Sequence, residues 1–122
     1  YEMQRSLVGS EMCIRDRCVW RMFADSDARP PEAVICADDM IALGAMIALQ
    51  TLGIRVPDDV RVVGYDDSPL ALTTMPTLTS VRPPFLQIVT EALRLIGQGP
   101  DQAAHISLLP QLIVRGSTVV RS

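Results

Sequence analysis

An α/β fold with a parallel sheet flanked by helices is what this chain predicts, and three observations carry that expectation. The run Ala33–Asp67, AVICADDMIALGAMIALQTLGIRVPDDVRVVGYDD, sets a short apolar segment, a long apolar segment and a second short apolar segment in series. An acidic pair, Asp38-Asp39 or Asp66-Asp67, closes each short segment. Gly53 and then Pro57 end the long one, as a helix C-terminus does. Strand, helix and strand in that order give two parallel strands side by side, joined by a right-handed crossover. Ligands of open α/β sheets bind beyond the carboxyl ends of the strands, so both acidic pairs stand where a small molecule is expected.

The elements follow in order. Residues 1–17, YEMQRSLVGSEMCIRDR, have no clear hydrophobic period. Their run Leu7–Asp16, LVGSEMCIRD, resembles the in-frame translation of a transposase-type sequencing adapter over ten consecutive residues, so residues 1–17 are expected to be an artefact and disordered, and are set aside. On that expectation the natural protein continues further upstream. Cys18–Ala28 reads as the end of a helix, with Val19, Met22 and Phe23 on one stripe, broken by Arg29-Pro30-Pro31. Ala33–Ala37 reads as a short buried strand. Asp38 is placed to cap the helix that runs from about Asp39 to Leu52.

That helix is apolar nearly all round. Ile41, Ala45, Ala48, Leu49 and Leu52 make one stripe, and Met40, Leu43, Met46 and Ile47 make a second on the opposite side. One stripe covers a sheet. Two imply burial on both faces, and the second is expected to be a subunit interface. Val60–Gly64 is the next strand, nearly continuous in apolar residues as a buried parallel strand is. Tyr65–Pro76 reads as loop, Leu78–Val81 as a short strand ended by Arg82-Pro83-Pro84, and Phe85–Ile96 as an amphipathic helix ended by Gly97 and Gly99. His105–Leu109 and Leu112–Arg115 read as two short strands broken at Pro110.

Composition bounds the function. Hydrophobic residues make up 48% of the 122, so the chain is globular, and the net charge of −3 gives no nucleic-acid-binding surface by itself. No apolar run is long enough to span a membrane. All 11 basic residues are arginine, which excludes chemistry that needs a lysine amine. Cys18 and Cys36 have no metal-like spacing, Cys36 falls in a strand expected to be buried, and no disulfide is implied. There is no nucleophile–base pair, no Gly-rich phosphate loop and no metal-ligand spacing, so neither an enzyme nor a cofactor or metal is expected.

The candidate site residues are Asp38, Asp66 and Phe85. Asp38 reads first as a helix cap, which is compatible with ligand contact at a strand end. An acidic pocket of the phosphate-receiving kind fails on the missing lysine. Asp66-Asp67 follows Gly64-Tyr65 with no helix start nearby, so it is either a turn or an acceptor for paired hydroxyls, as on a sugar or polyol. Phe85 is either the first core residue of its helix or a stacking surface. His105 reads as a surface residue.

The runs ADDMIALGAM, GIRVPDDVRVVGYDD, PTLTSVRPPF and LLPQLIVRGST, in this order between about Pro31 and Thr118, resemble the C-terminal part of the LacI/GalR family of ligand-responsive transcription repressors. The resemblance implies a fragment of a two-lobe, periplasmic-binding-protein-like (type I) fold. Residues 18–122 are then a partial effector-binding and dimerisation domain, with 18–82 mostly in the C-terminal lobe, 83–100 a helix of the N-terminal lobe, and 101–122 return strands and tail. It implies a cytoplasmic homodimer that binds a sugar, polyol or nucleobase-like effector and reaches operator DNA only through an N-terminal head outside this sequence. Asp66 and Phe85 take the positions of effector contacts, and Met40, Leu43, Met46 and Ile47 that of the dimer interface. The family commonly has Asn where this chain has Asp38; ionised Asp only accepts hydrogen bonds, which points to a different effector. The alternative is a periplasmic sugar-binding protein of an ABC transporter, with the same fold and no DNA head.

Overall fold

The computed structural model describes residues 19, 21–23, 30–98 and 105–119. The adapter-like run, most of the first expected helix, Gly99 and the last residues of the tail lie outside the described residues. Four strands form one sheet in the order β1-β2-β3-β4: β1 Ala33–Ile35, β2 Arg61–Tyr65, β3 Thr79–Arg82 and β4 Gln111–Ile113. β1, β2 and β3 are parallel, and β4 runs antiparallel to β3. Helix α1, Asp39–Thr51, joins β1 to β2, a 3-10 turn at Pro69–Leu72 lies between β2 and β3, and helix α2, Phe85–Gln98, joins β3 to β4.

Local chemistry explains the start and stop of α1. Asp38 is extended, and its carboxylate accepts the Ile41 N–H at 2.6 Å, satisfying a first-turn donor that has no partner inside the helix. At the other end Gly53 takes φ +75°, a left-handed value that glycine adopts without strain, and its N–H and that of Ile54 donate back to Gln50 and Leu49.

α1 packs on the sheet through Ala42, Ala45, Met46, Ala48 and Leu49, against Val60, Val62 and Leu78. Small residues at three of those five helix positions let the backbone come close to the strands. Met46 departs from the expected pattern: only 6% of it is exposed, and it belongs to the core and not to the outer stripe. It lies four residues on from the buried Ala42, on the same face of the helix, and so inside the core-facing arc. Met40 and Ile47 do stand outward, 51% and 53% exposed, with Leu43 half-buried.

Three further expectations change. β1 is not a buried strand; it forms an edge of the sheet, and Ile35 is 81% exposed. His105–Leu109 does not pair into the sheet, because β3 already has its partner in Gln111–Ile113, which begins directly after Pro110. α2 runs past its expected end at Ile96, through Gly97 to Gln98; it buries none of its residues, and its apolar stripe, Phe85, Val89 and Ile96 included, is exposed, as expected of a helix of the other lobe that lacks its sheet.

The run after β4 is also not a simple strand continuation. Residues 116–118 plug the amino-terminal end of the β2–β3 seam. Ser117, fully buried, donates its hydroxyl to the Val62 carbonyl at 2.6 Å and accepts the Thr79 N–H at 2.8 Å. Among the described residues no helix is long and apolar enough to cross a membrane.

Candidate functional site

The carboxyl ends of β1 and β2 and the middle of β3 come together around a carboxylate that the sequence did not single out. Asp39 is 2% exposed. Its Oδ2 accepts the Ser68 N–H at 2.7 Å and the Ser68 hydroxyl at 2.9 Å, and its Oδ1 accepts the Ser80 hydroxyl at 2.6 Å. No arginine is among these partners. The charge is met by the three donors and by the N-terminus of α1, where Asp39 is the first residue and the helix dipole favours an anion. Gly64 allows this arrangement: a Cβ there would run into Asp39 Oδ1 and lie 2.9 Å from the Leu78 side chain.

Asp66 and Asp67, next to each other, have opposite environments. Both are left-handed, at φ 97° and 50°, a conformation that aspartate tolerates better than most residues. The Asp67 side chain is 4% exposed and is held by two arginines. Arg82 donates Nε to Oδ2 at 2.6 Å and pairs with the same oxygen through Nη2, while Arg115 donates Nη2 to Oδ1 at 2.6 Å. Burial works to raise the Asp67 pKa, but the Arg115 and Arg82 guanidiniums together outweigh it and hold the carboxyl below its usual range. Asp66, by contrast, is exposed; its N–H donates to the Val81 carbonyl at 2.9 Å, and among the described residues no side chain engages its carboxylate.

The three expected site residues therefore fall in different places. Asp38 is the cap of α1, half-buried, with one oxygen occupied by Ile41. Asp66 lies just past the end of β2, exposed, with no side chain on its carboxylate among the described residues. Phe85 opens α2, 57% exposed, just past the crossover at Arg82-Pro83-Pro84. Asp39 and Asp67, each the second member of an acidic pair, were missed. The one local signal for Asp39 was the glycine in VVGYDD, which marks a close approach to the strand. Nothing local marked Asp67.

Cys36, between β1 and the cap, is buried, and burial first and the Asp38 charge second push its thiol up to about 12. It packs as a small hydrophobe and is no nucleophile. A groove lies away from this edge, where Leu43, Met46 and Ile47 of α1 face Thr74, Met75 and Pro76.

Over residues 3–118 the sequence matches the periplasmic binding protein-like domain family. The chain belongs to that family. Among curated relatives, the HTH-type transcriptional regulator MalR of Streptomyces coelicolor is 49% identical over 90 residues, 70% of this chain and 26% of its own length. Among solved structures, the lac repressor dimer bound to operator and the anti-inducer ONPF superposes at a TM-score of 0.74 with 32% identity, over 87% of this chain and 37% of that one. The CelR–cellobiose complex, a transcriptional regulator, does so at 0.74 with 31% identity, over 88% and 34%. The chain is thus a periplasmic-binding-protein-like domain of the LacI/GalR kind, and it spans about a quarter of the length of the curated relative.

Proposed function

We propose that this chain is the ligand-sensing and dimerising part of a LacI/GalR-type DNA-binding transcriptional regulator, cytoplasmic and not an enzyme. Its effector is a sugar, polyol or similarly hydroxylated molecule, and operator DNA is reached through a head outside this sequence. The observation that carries the reading is the contrast within one acidic pair. Asp67 is held by two arginines, while Asp66 offers a carboxylate that no side chain among the described residues engages, beyond the end of a central parallel strand. A carboxylate gripping two hydroxyls makes charge-assisted hydrogen bonds of the kind that recognise sugars. Asp38 shares that edge and sets specificity, and Phe85 offers a stacking face. The relatives named above are regulators, and the transporter alternative has no such support.

In the same reading α2 belongs to a second lobe that covers its apolar stripe, residues 1–17 are foreign to the gene, although the family match begins at residue 3, and Met40, Leu43 and Ile47, with the edge of Met46, meet a second copy. The deciding experiment is Asp66→Asn in the full-length regulator, titrated calorimetrically with cellobiose, maltose and sucrose. Loss of a charge-assisted acceptor costs on the order of 1.5–3 kcal/mol, roughly ten- to a hundredfold in affinity, with operator binding kept. Unchanged sugar affinity in that variant would remove Asp66 from the site.

A further inference from the structure

The chain leaves the sheet at Arg82 and returns at Gln111, and these two residues are register partners across β3 and β4. Between them lies an excursion, residues 83–110, whose helix α2 buries nothing. The Asp67 carboxylate holds both ends of that excursion. One oxygen takes Arg82, the last residue of β3, and the other takes Arg115, two residues beyond β4. Arg115 is itself fixed: Nη1 donates to the Leu78 carbonyl at 2.8 Å, and its backbone N–H donates to Thr79 Oγ1 at 2.7 Å.

The loop after β2, residues 66–68, is tied down at each of its backbone donors. The N–H of Asp66 goes to the Val81 carbonyl, that of Asp67 to the Ser80 hydroxyl at 3.0 Å, and that of Ser68 to Asp39. We propose that Asp67 is a positioning residue that couples the excursion to the effector site, so that the Asp66 carboxylate moves with the exit and return of residues 83–110. The proposal rests on the reading of Asp66 as an effector contact. Two left-handed residues in sequence, both bonded to β3, leave the loop little freedom to bend on its own. Arg82 is followed by Pro83-Pro84, whose fixed φ angles pass a rotation on and do not absorb it. The pair is also built to yield on one side, for Arg82 is 52% exposed and Asp67 is 4% exposed. Coupling needs a physical element that both sites bias, and this ion triad is such an element.

The test uses the full-length regulator, wild type and Arg82→Gln, with Arg82→Lys as the conservative variant. Arg82 is half in water, so its loss leaves the core closed. In Arg82→Gln the Asp66, Asp67 and Ser68 amides exchange with solvent deuterium at least about tenfold faster, the Val62 and Ile54 amides keep their wild-type rates, and Arg82→Lys recovers part of the loop protection. With cellobiose as the probe, the concentration that releases operator rises about tenfold while the calorimetric Kd moves less than about threefold. Unchanged loop exchange overturns the proposal. So does uniformly faster exchange that includes Val62, which marks an ion pair that only stabilises, and so does a loosened loop with wild-type operator release. If cellobiose fails to bind the wild type, the sugar reading fails alone, and the exchange rates decide the coupling.

Discussion

Asp39 Oδ1 and Ser80 Oγ are 2.6 Å apart across 41 residues of sequence, and this bond joins the start of α1 to the middle of β3. The same hydroxyl accepts the Asp67 N–H, so the helix, the strand and the loop after β2 meet at one serine. Asp39→Ala strands three donors, the Ser80 hydroxyl buried and the two of Ser68 part-buried, and is expected to lower stability by about 2–3 kcal/mol, and Ser80→Ala by about 1–2 kcal/mol. Urea denaturation of each variant checks both values; equal and small losses would show the carboxylate to be dispensable.

Gly64→Ala is expected to destabilise by about 1–3 kcal/mol, because the added methyl meets Asp39 Oδ1 and Leu78 at once. The loss shrinks when Asp39 is also alanine, since the two share one contact. A double-mutant cycle by thermal melting measures that coupling, and strict additivity would contradict the close approach.

The Asp67 carboxyl, held low by its arginines against its burial, makes a pH signature. A folded pKa below the unfolded value means that its contribution is complete above the unfolded pKa of about 3.9 and is lost as pH falls through the folded pKa. Wild-type stability should therefore fall more steeply than that of Asp67→Asn as the pH is lowered below about 4. Parallel melting curves over that range would mean that the ion triad does not persist in solution.

Asp38 separates two roles in one residue. Asn caps a helix about as well as Asp, so Asp38→Asn should change stability by less than about 0.5 kcal/mol, whereas Asp38→Ala costs about 1 kcal/mol. If the carboxylate also sets specificity, Asp38→Asn alters the order of preference among sugars, polyols and nucleobases in operator-release assays. The same order in wild type and variant would leave Asp38 a cap only.

Ile47 is 53% exposed on the outer face of α1, so Ile47→Glu should not disturb the core. A carboxylate there would have to lose its water at a subunit contact, and the full-length variant is expected to sediment as a monomer. A dimer of unchanged affinity would put the interface elsewhere.

The strand–helix–strand order, both ends of α1 and the capping by Asp38 were legible because each depends on neighbours within about four residues. Hydrophobic period, cap and left-handed glycine are local facts. The site was legible only in outline. The sequence placed two acidic pairs at the carboxyl edge, but it drew attention to Asp38 and Asp66, the first member of each, and passed over Asp39 and Asp67. Met46 was misplaced for a related reason, since a helix apolar nearly all round does not say where its core arc ends.

The sequence alone determined the fold class, the edge of the sheet where a ligand is expected, and the absence of lysine chemistry. The tertiary structure decided that Asp39 and Asp67 are buried among their partners, that Asp38 caps α1, and that Asp66 is exposed with no side chain on its carboxylate among the described residues. Asp67 finds its guanidiniums 15 and 48 residues away, and Asp39 its hydroxyls 29 and 41 residues away. Whether a charge is paired, buried or open to water is set by groups brought close only when the chain folds, and no local period or turn rule carries that information.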